Sequence, residues 1–297
     1  MLLQVPGLPG SRKASDRGPP VDEGPIGQEA ITNGQTALAG SERLVADVHL
    51  VPWSRGDQTP PMELSETLID LSHPIESGMP AYPGLPSPRI EPLLSHAASR
   101  DAYGGRAEFT ITRVFMAGNT GTYLDSPWHR WPDGDDLSAI ALDRLAGLEG
   151  VCVDGVPHGG VAIGIDIPRA ALHDRAVLIR TGWDARWGTD DYWASGPYLH
   201  ADAIALLADA KCRLVGVDFS NVDDVRDPAR PAHTTLLREG ILIVEHLRGL
   251  ERVPATGFTF SAVPPAIHGA AAFPVRAFAT VRPEAPQLRS RRARSKW

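Results

Sequence analysis

An α/β fold built on a mixed, strand-rich sheet is what this sequence predicts. The first observation behind it is a series of short apolar, often β-branched runs recurring from Leu68 to Val281. The second is the amphipathic stretch Ala201 to Ala210, which interposes a helix between two of those runs. The third is size: 297 residues with 42% hydrophobic content suffice for a large core.

The elements follow in order. Residues 1–62 are rich in Gly, Pro, Ser, Asp and Gln and show no sustained period, so a disordered leader is expected. Met62 stands immediately before the first recognisable element, and one hypothesis is that translation starts there. Leu68 to Leu71 reads as a short strand, and Gly78 to Gly84 as an irregular turn. Ala107 to Val114 alternates and predicts a half-buried strand. Ala139 to Leu148 has helical composition, and Gly150 to Val156 reads as a strand. Ala176 to Arg180 reads as a fully buried strand. After the Ala201 to Ala210 helix come strands at Leu214 to Asp218, Ile241 to Glu245, Phe258 to Ala262 and Arg276 to Val281. The folded domain is expected over 63–282. Residues 283–297, with Arg291, Arg292, Arg294 and Lys296, read as a basic, solvated, disordered tail.

A net charge of −7 gives no footprint for nucleic acid, and no run is long and apolar enough for a membrane span. Cys152 and Cys212 are too few for a disulfide framework and are expected as buried thiols. The first residues lack the charged and apolar regions of a signal peptide, so a cytoplasmic protein is expected. No dinucleotide-binding, phosphate-loop or nucleophile-elbow motif stands in a convincing context, and no internal repeat is evident.

The densest chemistry lies in Gly118-Asn119-Thr120-Gly121-Thr122-Tyr123-Leu124-Asp125-Ser126-Pro127-Trp128-His129. Asn119, Tyr123, Asp125 and His129 are separated by even steps, so an extended strand would aim all four at one face. Gly118, Gly121 and Pro127 argue against a helix there. Further on, Glu245 closes an apolar run, where a buried carboxylate calls for an ion pair or a metal. Trp128, Trp131, Trp183, Trp187, Tyr192 and Trp193 are grouped in loops, either as packing or as the lining for a flat aromatic substrate.

This segment resembles the signature of the cyclase family, which includes bacterial kynurenine formamidases and isatin hydrolases. Thr120-Gly121-Thr122, Asp125, Pro127 and His129 match it. Asn119 and Tyr123 stand where the family has two histidines. His233 and Glu245 fit the second ligand pair, and looser matches around Val177 to Trp183, Gly216 to Asp218 and Phe273 to Ala279 extend the likeness from about Glu63 to Val281.

The resemblance implies a swivelling β/β/α domain. It implies one divalent ion, zinc or manganese, on Asp125, His233 and Glu245, with His129 as general acid/base. Asn119 and Tyr123 then either hydrogen-bond to each other or to Asp125 and fill space, or act catalytically, Tyr123 donating to a developing oxyanion and Asn119 orienting it. The implied reaction is hydrolysis of an aryl formamide such as N-formylkynurenine, or of a cyclic amide, by a homo-oligomer. The alternatives are a metal-free cyclase or dehydratase, and a non-catalytic binder of a small aromatic molecule. Among the other histidines, His73 reads as structural, and His246 as facing away from Glu245 if its strand continues. His158, His173 and His200 read as loop or surface residues, and His268 as a loop residue that could reach a pocket mouth.

Overall fold

The computed structural model describes residues 66–194 and 196–282. The expected leader, the Met62 start and the basic tail lie outside the described residues. In chain order the strands and helices are β1 (Thr67–Asp70), β2 (Arg89–Leu94), α1 (His96–Ala102), β3 (Ile111–Phe115), β4 (Tyr123–Asp125), β5 (Leu148–Asp154), β6 (Val156–Pro157), β7 (Ala162–Gly164), β8 (Ala176–Arg180), α2 (Asp190–Ala194), β9 (Tyr198–Leu199), α3 (Ala201–Ala210), β10 (Leu214–Val217), α4 (Pro231–Arg238), β11 (Leu242–Glu245), β12 (Phe258–Ser261), β13 (Ala272–Pro274) and β14 (Phe278–Val281).

One large mixed sheet runs β1-β14-β12-β5-β8-β10-β11-β4-β13. Its centre, β5, β8, β10 and β11, is parallel, and antiparallel strands extend it on both sides. The parallel strands are buried on both faces, which is why Ala176 to Arg180 reads as continuously apolar. Alternate residues serve two cores. Ala176 and Leu178 join Leu214, Leu242, Phe258 and Phe260 on one face. Val177 and Ile179 join Val215 and Ile243 on the other, beneath Ile204 and Leu207 of α3 and Leu236 of α4.

Several expectations change here. The strand expected over Ala107 to Val114 begins only at Ile111, and it is exposed along its whole length rather than half-buried. It pairs with β2 alone, as a two-stranded arm that no other described sheet covers. Ala139 to Leu148 forms no α-helix. A single 3-10 turn, Leu142–Arg144, is cut off by Gly147 at φ +67°, and β5 starts at once. Conversely, α4 carries His233 in a stretch where sequence patterning indicated no helix. No described helix is long and apolar enough to cross a membrane.

Candidate active site

The signature segment reaches its destination by a different local path from the one its spacing suggests. Only Tyr123 to Asp125 is a strand. The chain before it turns through Gly121 at φ +64°, and a Cβ on Gly118 would lie 2.3 Å from the Ala272 carbonyl oxygen. After it, Pro127 opens a 3-10 turn ending at His129, because proline favours the first position of a helical turn. The four side chains still converge. Tyr123 and Asp125 share a face by strand alternation, while a bend and a turn deliver Asn119 and His129.

The register of the sheet places Tyr123 directly opposite Glu245 and Asp125 opposite Ile243. Glu245 thus shares the face of Asp125. That face is covered by α4, which contributes His233. His233 Nε2 lies 3.8 Å from Asp125 Oδ2 and 3.9 Å from Glu245 Oε1. The three ligand atoms all fall within 4.8 Å of one another, and all three residues are buried. His129 completes the group, with Nδ1 3.5 Å from Asp125 Oδ1 and its ring 5.4 Å from that of His233. Its side chain remains about a third exposed, so it is the member of the group open to solvent. Arg130 and Trp131 tie its turn to α4 by hydrogen bonds to Thr234.

Asp125 has one oxygen occupied and one turned to His233, whereas both oxygens of Glu245 accept hydrogen bonds and Oε1 also faces His233. The Asn119 amide donates to Asp125 Oδ1 at 3.2 Å. The Tyr123 hydroxyl donates to Glu245 Oε2, and the Val222 N–H donates to Oε1 at 2.7 Å. Asp125 Oδ2 is buried with no hydrogen-bond partner. Such an orphaned anionic oxygen is costly unless a cation sits against it.

Tyr123 is fully buried, and burial, reinforced by the Glu245 and Asp125 charges, holds its phenol well above its ordinary pKa of 10.0. It is therefore a neutral donor here and not a phenolate ligand. Replacing Tyr123 with Phe should leave Glu245 Oε2 without its donor. A loss of about 1–3 kcal/mol is expected in urea unfolding, with the ring still packed near His246.

A further residue, unnoticed in the sequence, organises the site. Asp223 lies in the loop after β10 and is buried. It accepts from the Ala232 N–H at 2.6 Å and the His233 N–H at 3.2 Å, at the start of α4. The same carboxylate meets His233 Nδ1 at 2.6 Å. One acid thus anchors the helix and turns Nε2 of its histidine toward Asp125 and Glu245. A sequence signal existed: the loop follows the carboxyl end of a parallel strand, where open α/β sheets place functional groups.

Burial lowers the proton affinity of His233, but Asp125, Asp223 and Glu245 outweigh it and raise its pKa from 6.5 to about 10. Burial pushes Glu245 up as well, and the His233 charge opposes this. A folded-state pKa raised in this way contributes stability in full below 6.5, and that contribution is lost as pH rises through about 10. Chelator-treated protein should therefore show a falling urea midpoint between about pH 7 and 10. Replacing His233 with Gln should flatten that slope.

The aromatic residues divide. Trp187, Tyr192 and Trp193 surround His246, whose Nδ1 meets the Tyr192 hydroxyl at 2.7 Å. The strand ends at Glu245, so the condition for His246 to face away from it is not met: His246 takes φ +60°, and its ring is buried 5.2 Å from that of Tyr123. Burial lowers its pKa to about 3, which keeps it neutral. Trp131 and Trp183 carry arginines over their rings, and Trp128 is exposed. His73 is buried against Trp187 with ring centroids 3.9 Å apart. His268 is exposed beside Asp136. Cys152 and Cys212 are buried thiols in different cores.

Residues 69–224 match the family described as "Putative cyclase". The chain is 30% identical over 212 residues to a kynurenine formamidase of Maricaulis maris, covering 70% of this chain and 95% of that relative. Isatin hydrolase A from Labrenzia aggregata shares the fold at a TM-score of 0.60 and 23% identity, over 73% of this chain and 94% of that one. A structure described as a potential metal-dependent hydrolase with cyclase activity aligns at a TM-score of 0.59 and 26% identity, over 74% of this chain and 100% of that one. With the match spanning the Asp125 strand and the loop to Asp223, and with relatives that are hydrolases by name, the chain belongs to the cyclase family.

Proposed function

We propose that this protein hydrolyses a carbon–nitrogen bond in an aryl formamide or a cyclic amide, using one divalent metal ion on Asp125, His233 and Glu245. The observation that carries the reading is the unpartnered, buried Asp125 Oδ2, facing His233 Nε2 at 3.8 Å. The donor set fits the ion. The three ligand atoms lie within 4.8 Å of one another, with His233 Nε2 3.8 Å from Asp125 Oδ2 and 3.9 Å from Glu245 Oε1, so one ion would be held by all three residues. One imidazole and two carboxylates suit zinc or manganese. When bound, such an ion would acidify water and polarise an amide carbonyl.

The remaining work falls to side chains. His129, open to solvent and 3.5 Å from Asp125, is placed to take a proton from the attacking water and return it to the leaving nitrogen. Asn119 and Tyr123 hold the two carboxylates so that one oxygen of each stays turned inward. Because they occupy the positions where the family resemblance has histidines, this reading has one ion and not two. A cavity of about 180 Å³ lined by Trp193, Tyr198, Asn221, Asp223 and Arg226 borders the group through Asp223 alone, and none of Asp125, His129, His233 and Glu245 lines it.

The reading is tested by metal analysis of purified protein, followed by assays on N-formylated anilines and cyclic amides with zinc or manganese restored. Near one equivalent of metal and a metal-dependent rate are expected. Turnover that survives complete metal removal would instead support a proton-transfer cyclase or dehydratase, and ligand binding without turnover would support a non-catalytic relative.

The buried thiols Cys152 and Cys212 support a reducing, cytoplasmic setting for this activity. Homo-oligomerisation belongs to the same reading. The β2–β3 arm exposes Leu93, Ile111, Val114 and Phe115, and an isolated two-stranded hairpin is marginal in water. Sedimentation at micromolar concentration should give a multiple of the chain mass, and replacing Phe115 with Asp should lower it.

A further inference from the structure

We propose that His158, His200 and Asp202 form a second divalent-metal site, on the surface and separate from the buried group around Asp125. Their ligand atoms lie within 4.8 Å of one another. His200 Nδ1 is 3.4 Å from Asp202 Oδ2, and His158 Nε2 is 3.9 Å from the same oxygen. The two imidazole rings lie 3.8 Å apart at a tilt of 32°.

The arrangement is held by backbone rather than by chance contact of long side chains. His158 follows β6, and its N–H donates to the Ala162 carbonyl at 2.8 Å, closing a turn through Gly159 and Gly160. His200 follows β9, which pairs in parallel with β7, and its N–H donates to the Ile163 carbonyl at 2.8 Å. Asp202 lies in the first turn of α3.

The chemistry calls for a positive centre. His200 Nδ1 accepts the Asp202 N–H at 3.3 Å as the cap of α3, so in the neutral ring it carries a lone pair and not a proton. A cation held through this nitrogen would draw the lone pair from the cap, and it would meet Asp202 Oδ2, which lies 3.4 Å from His200 Nδ1 and 3.9 Å from His158 Nε2. His158 adds a second imidazole nitrogen on the same side. Two imidazoles and one carboxylate select a borderline ion such as zinc, copper or nickel over magnesium or calcium. The side chains are 52%, 31% and 81% exposed for His158, His200 and Asp202, which leaves room for water to complete the coordination. Binding there would clip the β6–β7 turn to the start of α3.

The test titrates zinc chloride into the chelator-treated full-length protein and into H158A, with calorimetry as the readout and cobalt absorption as a second one. H158A spares the helix cap, so folding is not at issue, and its far-ultraviolet dichroism and urea midpoint should match the parent. The expected result is one equivalent of zinc fewer in H158A, with the same loss in D202N and no competition from millimolar magnesium. This difference is read whether or not the buried group binds metal. Equal zinc stoichiometry and affinity in parent and H158A would overturn the site and leave a shared proton between His200 and Asp202.

Discussion

Replacing Asp125 with Asn should abolish metal binding and reduce amide turnover by about a thousandfold or more. The substitution keeps the shape and retains an acceptor for the Asn119 amide, so the 3.2 Å contact to Oδ1 can persist. What disappears is the charge on Oδ2, the buried oxygen that has no other partner. An amide is a weak ligand for zinc, and metal activation of water supplies several kcal/mol of the barrier reduction. At about 1.4 kcal/mol per tenfold, a loss of roughly 4 kcal/mol corresponds to that factor. The variant should fold, because Leu124 beside it remains wholly buried and the β4 pairing with β11 and β13 is made by backbone. Metal content measured on the purified variant, set beside its rate with added zinc, checks the claim. A variant that keeps its metal, or its rate, would remove Asp125 from the centre of the mechanism.

How much of this could be read from the amino acids alone depends on where each element is buried. Ala176 to Arg180 and Ala201 to Ala210 were legible to the residue, because one is apolar on both faces and the other on one stripe. The arm was legible only in part. β2, with sequence Arg-Ile-Glu-Pro-Leu-Leu, has no buried face to impose a period of two, and β3 is exposed throughout. Helix α4 was missed because Pro-Ala-His-Thr-Thr-Leu-Leu-Arg is short and mostly polar outside its contact face. Its helicity is imposed from outside, by Asp223 at its first turn and by the packing of Leu236 on the sheet.

The site shows the same division. Asp125, His129, His233 and Glu245 were singled out by a family likeness, and their side chains lie together in the structure. The argument from even spacing reached the correct neighbours through the wrong backbone. Tyr123 and Asp125 do share a strand face, but Pro127 starts a turn that swings His129 in from the side. The Asn119 contact to Asp125 was among the readings the sequence offered, but the partner of Tyr123 was beyond reach, since cross-strand register decides that it faces Glu245. Asp223 was hidden by composition: Asn-Val-Asp-Asp reads as a solvated loop until the tertiary fold folds it under α4.

That hidden residue sets the second large effect. Replacing Asp223 with Asn should weaken zinc binding about 10- to 100-fold, the range seen when the outer partner of a ligating histidine is removed. Asn has one oxygen where the carboxylate has two, and three donors now converge there: the Ala232 and His233 N–H groups and His233 Nδ1. An amide that satisfies the helix turns its own N–H₂ toward the imidazole, which favours the other tautomer and withdraws the Nε2 lone pair from Asp125 and Glu245. The helix start also loses an anion, so unfolding stability should fall by about 0.5–2 kcal/mol. The two variants are separated by rescue. Excess zinc should restore much of the turnover of D223N, because all three ligands remain, whereas D125N should not respond at any concentration. Affinity measured by competition with a chromophoric chelator, in parallel with that rescue curve, decides the point: D223N that binds zinc as tightly as the parent would show that His233 needs no orienting partner.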